Sequence, residues 1–146
     1  METVDAILAA LYGVISGPAG QKRDWDRMRS LFIPNARIMV ILPTPDEGYG
    51  VRNMDVEGYI SASGPLLERD GFFETEIARQ VDTFGQLVQV FSTYEGRYRE
   101  EDKEPRIRGI NSIQLFHDGQ RWWILGLVWR AEDATLKLPE QYLKNR

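Results

Sequence analysis

Few residues in this chain have the chemistry to move a proton or hold a ligand oxygen. There is one histidine, His117, and no cysteine, which removes thiol nucleophiles, thiolate metal sites and disulfides. His117 stands directly before Asp118-Gly119, a dipeptide that signals a hairpin when it separates two strand-like runs. It is therefore read as an exposed polar residue at a hairpin end, too far from a core to serve as a base. The acids beside it, such as Asp118, do not make a ligand cluster with it, so neither a metal nor another cofactor is expected. The glycines occur singly at turns, without a phosphate-binding loop or a nucleophile elbow. What remains is Asn111 in "RGINSIQLF" and the pair Glu95 and Arg97 in "STYEGRY". An inward Glu95 could handle a proton if Arg97, Arg79 or another donor offset its desolvation. An outward pair would be a solvated ion pair or part of an interface rim. The polar loop "EEDKEP" leaves that strand register open.

The elements that must position these groups follow from periodicity. The chain of 146 residues has room for one domain with a sizeable core. Its apolar share of 42% and charged share of 27% are those of a globular protein, and a formal net charge of -4 with interleaved acids and bases argues against a nucleic-acid partner. No apolar run approaches the length of a membrane span, and Glu2 and Asp5 ahead of an amphipathic run do not resemble an export signal. A cytoplasmic location is expected.

Val4, Ile7, Leu8, Leu11 and Ile15 recur at helical spacing behind a Thr3 cap. Asp24 caps a short second helix carrying Trp25, Met28, Leu31 and Phe32, which Pro34 ends. "ARIMVILP" is a strand and "PTPDEGYGVRN" a loop by composition. Asp55 caps a third helix with Val56, Tyr59 and Ile60, interrupted at Gly64-Pro65. Extended regions at 72–81, 87–99 and 106–116 precede the last strand. Three amino-terminal helical segments followed by an antiparallel sheet define an α+β domain.

If Asp118 and Gly119 are the two central residues of the hairpin, Leu115 pairs with Trp122, Ile113 with Ile124, Asn111 with Gly126 and Gly109 with Val128, all on one face. Trp123, Leu125, Leu127 and Trp129 then share the other face. The helices can cover only one of these apolar faces, so the second is expected to be the interface of a homodimer.

The order of elements, with "DWDRMRSLFIPNARI", "VFSTYEGR", "RGINSIQLF" and "DGQRWWILGLVWRAED", resembles the nuclear transport factor 2-like superfamily and looks closest to an uncharacterised bacterial branch. That superfamily includes ketosteroid isomerase, scytalone dehydratase and small polyketide cyclases. The resemblance implies a cone-shaped, cystatin-like α+β fold in which three helical segments and the concave face of a curved antiparallel sheet enclose a pocket, with dimerisation common through the convex face. It implies no single reaction. The tyrosine that ketosteroid isomerase brings to its oxyanion hole aligns with Tyr12. The general base of that enzyme aligns with Val40, which cannot accept a proton, and its second oxyanion donor has no match. Scytalone dehydratase relies on histidines that this chain lacks.

The expected site is therefore a partly apolar pocket for a small organic ligand, contacted by Tyr12, Trp25, Tyr59, Asn111 and Trp122. Gly126 opposite Asn111 would make room, an indole would supply contact area and an amide would orient an oxygen. Two functions fit: noncatalytic small-molecule binding, or a cyclase, isomerase or dehydratase acting on a small hydrophobic carbonyl compound, with Tyr12, Asn111 and Glu95 as candidate catalytic groups. For the dimer, Trp123→Glu places a charge in the shared patch and should shift the solution mass toward monomer, read by analytical ultracentrifugation with helical content followed in parallel.

Overall fold

A computed structural model describes residues 2–145. Helix α1 (Val4–Ile15) starts where the Thr3 hydroxyl accepts a hydrogen bond from the Ala6 amide at 3.0 Å. Helix α2 (Trp25–Leu31) is capped in the same way by Asp24, and α3 (Val56–Asp70) by Asp55. The strands are β1 (Phe32–Pro43), β2 (Tyr49–Met54), β3 (Phe73–Phe84), β4 (Leu87–Arg97), β5 (Ile107–His117) and β6 (Trp122–Ala131), and a short 3₁₀ helix spans Glu140–Leu143. They form one sheet in the order β2-β1-β6-β5-β4-β3.

Three expectations about these elements are corrected. The sheet is mixed, because β1 runs parallel to β6 while its other pairings are antiparallel. Part of the stretch read as loop is β2, which pairs with β1 from Tyr49 to Met54; tertiary pairing outweighs its glycine-rich composition. Helix α3 runs through Gly64-Pro65 to Asp70 without interruption. Gly64 lets the Trp25 ring approach, for a Cβ there would lie 3.2 Å from the indole.

The helices cover the inner face of the sheet. Ile7, Leu8, Leu11 and Val14 of α1, with Met28 and Leu31 of α2, pack on Ile38, Val88, Val90, Ile113, Leu115, Ile124 and Leu127. On the outer face, the carboxy-terminal segment lies over β3 and β4, where Tyr142 meets Phe91 edge-on and Gln80 donates to the Gln141 carbonyl.

The β5–β6 hairpin is where register matters most. His117 pairs with Trp122, so the loop is Asp118 to Arg121 rather than two residues. Asp118 Oδ1 accepts from the amides of Gln120 and Arg121 at 2.7 and 2.9 Å, which holds the longer loop and pulls the carboxyl down to about 2. Leu115 then pairs with Ile124 and Gln114 with Gly126, leaving Leu125 as a bulge. One extra residue exchanges the faces of everything beyond it. Trp122 and Trp123 keep the faces expected of them, but Leu127 and Trp129 turn inward: Leu127 is buried in the core and Trp129 pairs with Asn111. Asn111 does not face Gly126, whose missing side chain instead admits the Arg37 carbonyl. Of the outer stripe proposed from sequence, Trp123 remains outward beside the bulged Leu125, with the Arg121 guanidinium over its ring.

Arg23 ties the helices together. It is buried, and its guanidinium donates to the carbonyls of Ile15 (3.1 Å), Gly17 (2.8 Å), Gln21 (2.6 Å) and Leu67 (2.9 Å), joining the end of α1, the α1–α2 link and the last turns of α3. The Gly17 and Leu67 carbonyls also accept from the amides of Phe72 and Gly71, so losing the guanidinium would deprive chiefly the Ile15 and Gln21 carbonyls of a donor. Arg23→Ala should cost about 3 kcal/mol of stability in urea titration, and Arg23→Lys, which lacks the planar fork, should recover only part of it.

Candidate functional site

The carboxyl end of α1 is fastened to the start of β3. Gly17 and Phe72 exchange backbone hydrogen bonds at 2.8 and 3.0 Å, and the Glu74 amide donates to Ser16 Oγ at 3.0 Å. This brings Glu74 beside Tyr12, one helical turn before Ser16. Gly96, opposite Glu74 in β4, accommodates the Phe72 ring, which a Cβ would meet at 2.5 Å. Gly109 similarly leaves space for the Tyr94 hydroxyl at 2.6 Å from the missing Cβ.

These elements enclose a cavity of about 290 Å³ between the sheet and all three helices. Its walls are Leu11, Ile15, Met28, Ile38, Leu67, Phe72, Leu127 and Trp129, and its polar groups include Tyr12, Tyr59, Glu74, Tyr94 and Asn111. Leu66 and Tyr98, which are 51% and 40% exposed, mark the mouth together with the exposed Asp70 and Arg106.

A directed chain of hydrogen bonds leads from Arg79 and Glu76 to Tyr12, Asn111 and Glu74 at the cavity wall. Arg79 Nη2 donates to Glu76 Oε1 at 2.6 Å, and the other Glu76 oxygen takes the Ser92 hydroxyl proton. With its hydrogen engaged by that carboxylate, Ser92 Oγ accepts from the Tyr12 hydroxyl at 2.6 Å. The Asn111 amide then donates one hydrogen to Tyr12 Oη and the other to Glu74 Oε1, each at 3.1 Å. Both hydrogens of Asn111 and the only hydrogen of Tyr12 are thereby spent inside the protein.

The hydroxyls of Tyr59 and Tyr94 make no hydrogen bond among the described residues, although neither oxygen is sealed from the cavity. Burial, followed by the charge of Glu74, holds both phenols well above their ordinary range, so both keep their protons. Glu74 Oε2 likewise makes no hydrogen bond among the described residues. Burial among apolar and aromatic walls raises the Glu74 carboxyl to about 7, and the Asn111 hydrogen bond only partly offsets this.

Of the residues expected to contact a ligand, Tyr12, Tyr59 and Asn111 line the cavity. Trp25 and Trp122 do not: Trp25 packs against α3 at Gly64, and Trp122 meets His117 edge-on near the hairpin end while resting on the core. Glu95 is not a candidate base. It alternates with the inward Tyr94 and Gly96 and pairs on the outer face with Arg97 at 3.2 Å and Arg108 at 3.6 Å. The acid that does enter the cavity, Glu74, escaped the sequence reading because of a second bulge. Ile77 has no partner between Glu76 opposite Tyr94 and Ala78 opposite Thr93. Counting back from the inward Val81 with period two puts Glu74 outside, whereas the bulge puts it inside. Phenylalanine at 72 followed by acids at 74 and 76 was the available signal.

No group of three or more His, Cys, Asp or Glu is placed to hold a metal ion among the described residues. No helix of the described residues is long and apolar enough to cross a membrane.

No family model and no curated protein matches the sequence, but solved structures do. A protein of unknown function with a cystatin-like fold from Nostoc punctiforme is 11% identical, with 92% of this chain and 97% of that chain covered at a TM-score of 0.66. A nuclear transport factor 2-like protein of unknown function from Silicibacter pomeroyi is 14% identical over 88% of this chain and 92% of its own, at 0.61. A proposed dehydratase of the nuclear transport factor 2-like family from Streptomyces avermitilis is 11% identical over 90% and 94%, at 0.64. The chain has the nuclear transport factor 2-like, cystatin-like fold.

The charge of Glu74 makes stability depend on pH. Its folded value of about 7 lies above its ordinary 4.5, so the native state binds the proton more tightly than the unfolded chain does. The associated stability is complete below 4.5 and lost as pH rises to about 7. Glu74→Gln should therefore be more stable than the native protein by on the order of 2 kcal/mol at pH 8 and nearly equal at pH 4, by urea titration at the two pH values.

Proposed function

We propose that the cavity catalyses proton transfer at carbon next to the carbonyl of a small, largely apolar compound, the chemistry shared by isomerases, dehydratases and cyclases. The observation that carries this is the unpartnered oxygen of Glu74, raised to about 7 in an apolar cavity that also holds two uncommitted tyrosine hydroxyls. A general base works best when its pKa lies near the working pH. A cavity that only bound an apolar ligand would gain nothing from a carboxyl that burial penalises.

In this reading ionised Glu74 takes the proton, forming its O–H bond as the substrate C–H bond breaks. The electron pair moves onto the carbonyl oxygen, where Tyr59 and Tyr94 donate hydrogen bonds to the developing enolate. Glu74 then returns the proton to another carbon or to a leaving oxygen. Tyr12 and Asn111 act as positioning residues here: Asn111 holds Glu74 Oε1, and Tyr12 holds Asn111. The alignment of Tyr12 with an isomerase tyrosine suggests direct oxyanion contact, but its hydroxyl already donates to Ser92, whose own hydrogen goes to Glu76. The fold shared with a proposed dehydratase is compatible with this chemistry without selecting it.

The test is incorporation of deuterium from D₂O next to the carbonyl of small cyclic and aryl ketones, followed by NMR. The exchange rate should rise with pH through an apparent pKa near 7. Glu74→Gln should reduce it by about 10²–10⁴-fold, and Tyr94→Phe by about 10-fold or more while leaving the pH midpoint in place. Exchange no faster than in buffer across this ketone set, or a rate indifferent to Glu74→Gln, would reject the assignment.

A further inference from the structure

The cavity has a polar interior and an apolar middle, and its mouth carries a cation. Arg106 lies between Pro105 and the first residue of β5, with its amide donating to the Gly96 carbonyl at 2.8 Å, so its backbone is anchored to the sheet. Its guanidinium lies over the Tyr98 ring, 4.5 Å from the centroid, at the rim of the cavity. Stacking of this kind orients the guanidinium plane while leaving its edge hydrogens available. Arg106 forms no ion pair among the described residues. The rim acid Asp70 is near enough for Arg106 to help lower its carboxyl, but both its oxygens are held by Arg69, at 2.7 and 2.9 Å. The rim thus presents one oriented cation whose edge is unclaimed.

We infer that Arg106 is a specificity residue for a carboxylate at the outer end of the substrate, so that the molecule taken up is a small apolar keto acid. The ketone enters toward Glu74, Tyr59 and Tyr94, the hydrocarbon part lies against Leu67, Phe72 and Trp129, and the carboxylate meets the guanidinium edge. A carboxylate matches the planar fork with two parallel hydrogen bonds. A dianionic phosphate would carry a second charge toward Asp70, which disfavours it. This inference rests on the reading of the cavity as a ketone site, and it concerns binding, not turnover.

The experiment compares benzoylpropionate, an aryl ketone ending in a carboxylate, with its methyl ester by calorimetric titration at low salt. Three proteins are used: native, Arg106→Gln and Glu74→Gln. The native protein should bind the acid about three- to tenfold more tightly than the ester, a range set by the partial exposure of the rim. Arg106→Gln should remove the preference without weakening the ester, and Arg106→Lys should restore part of it. Glu74→Gln, which removes the base, should retain the preference. Equal affinities of acid and ester for the native protein overturn the role of Arg106 while leaving the ketone site standing. A preference that survives Arg106→Gln does the same. Failure of both molecules to bind any of the proteins overturns the ketone site and this inference together.

Discussion

Side chains along a β-strand alternate between faces, and a single unpartnered residue reverses that alternation for the rest of the strand. Two such residues shape the cavity, Ile77 in β3 and Leu125 in β6, and β1 has a further register irregularity between Phe32 and Arg37. Without the first, Glu74 and Val81 could not both face inward. Without the second, Trp129 and Leu127 would lie outside, where they would extend an exposed apolar stripe. The first bulge is on the edge strand β3 and the second on the interior strand β6, and between them they decide which acid and which indole the cavity contains.

Once Glu74 is inside, the remaining polar groups are constrained by how many hydrogens each can give. Glu76 is held by Arg79 and must accept, so Ser92 donates to it, Tyr12 donates to Ser92, and Asn111 donates to Tyr12 and Glu74. The direction of every bond follows from the carboxylate at the far end. The consequence runs against position-by-position likeness to known enzymes. A tyrosine placed like an oxyanion donor is committed elsewhere, while Tyr59 and Tyr94 have hydrogens to spare. Chemistry on a shared fold is decided by which donors remain unspent, and geometry alone does not reveal it.

The cavity also imposes a cost that the scaffold must offset. An acid raised to about 7 destabilises the folded chain at neutral pH and above, and a cavity forgoes packing contacts. Compensation comes from the dense apolar layer of α1 against β4, β5 and β6 and from Arg23, which gathers carbonyls of three segments at the cavity's helical side. The well-packed part of the fold is thus what allows an uncompensated carboxyl to remain in the cavity.

Local physics made much of this architecture legible from residues alone. The caps Thr3, Asp24 and Asp55, the helical spacing of Ile7, Leu8 and Leu11, a β5–β6 hairpin about Asp118-Gly119 and the α+β class follow from short-range propensity and pattern, while the particular fold was implied by the family resemblance. Tyr59 and Asn111 do line the cavity, but the pocket was implied by the resemblance and Asn111 sits opposite Trp129 rather than Gly126. Register was not legible. A bulge leaves no compositional mark, so the sequence assigned Trp129 outward, paired Asn111 with Gly126 and singled out Glu95 over Glu74. The parallel pairing of β1 with β6 and the strand at Tyr49–Met54 also depend on partners distant in sequence. What the sequence determined was the set of elements and their ends, because those depend on neighbours within a turn or two. The tertiary structure decided which side chains meet, because facing depends on the pairing of whole strands, where one unmatched residue reverses the outcome.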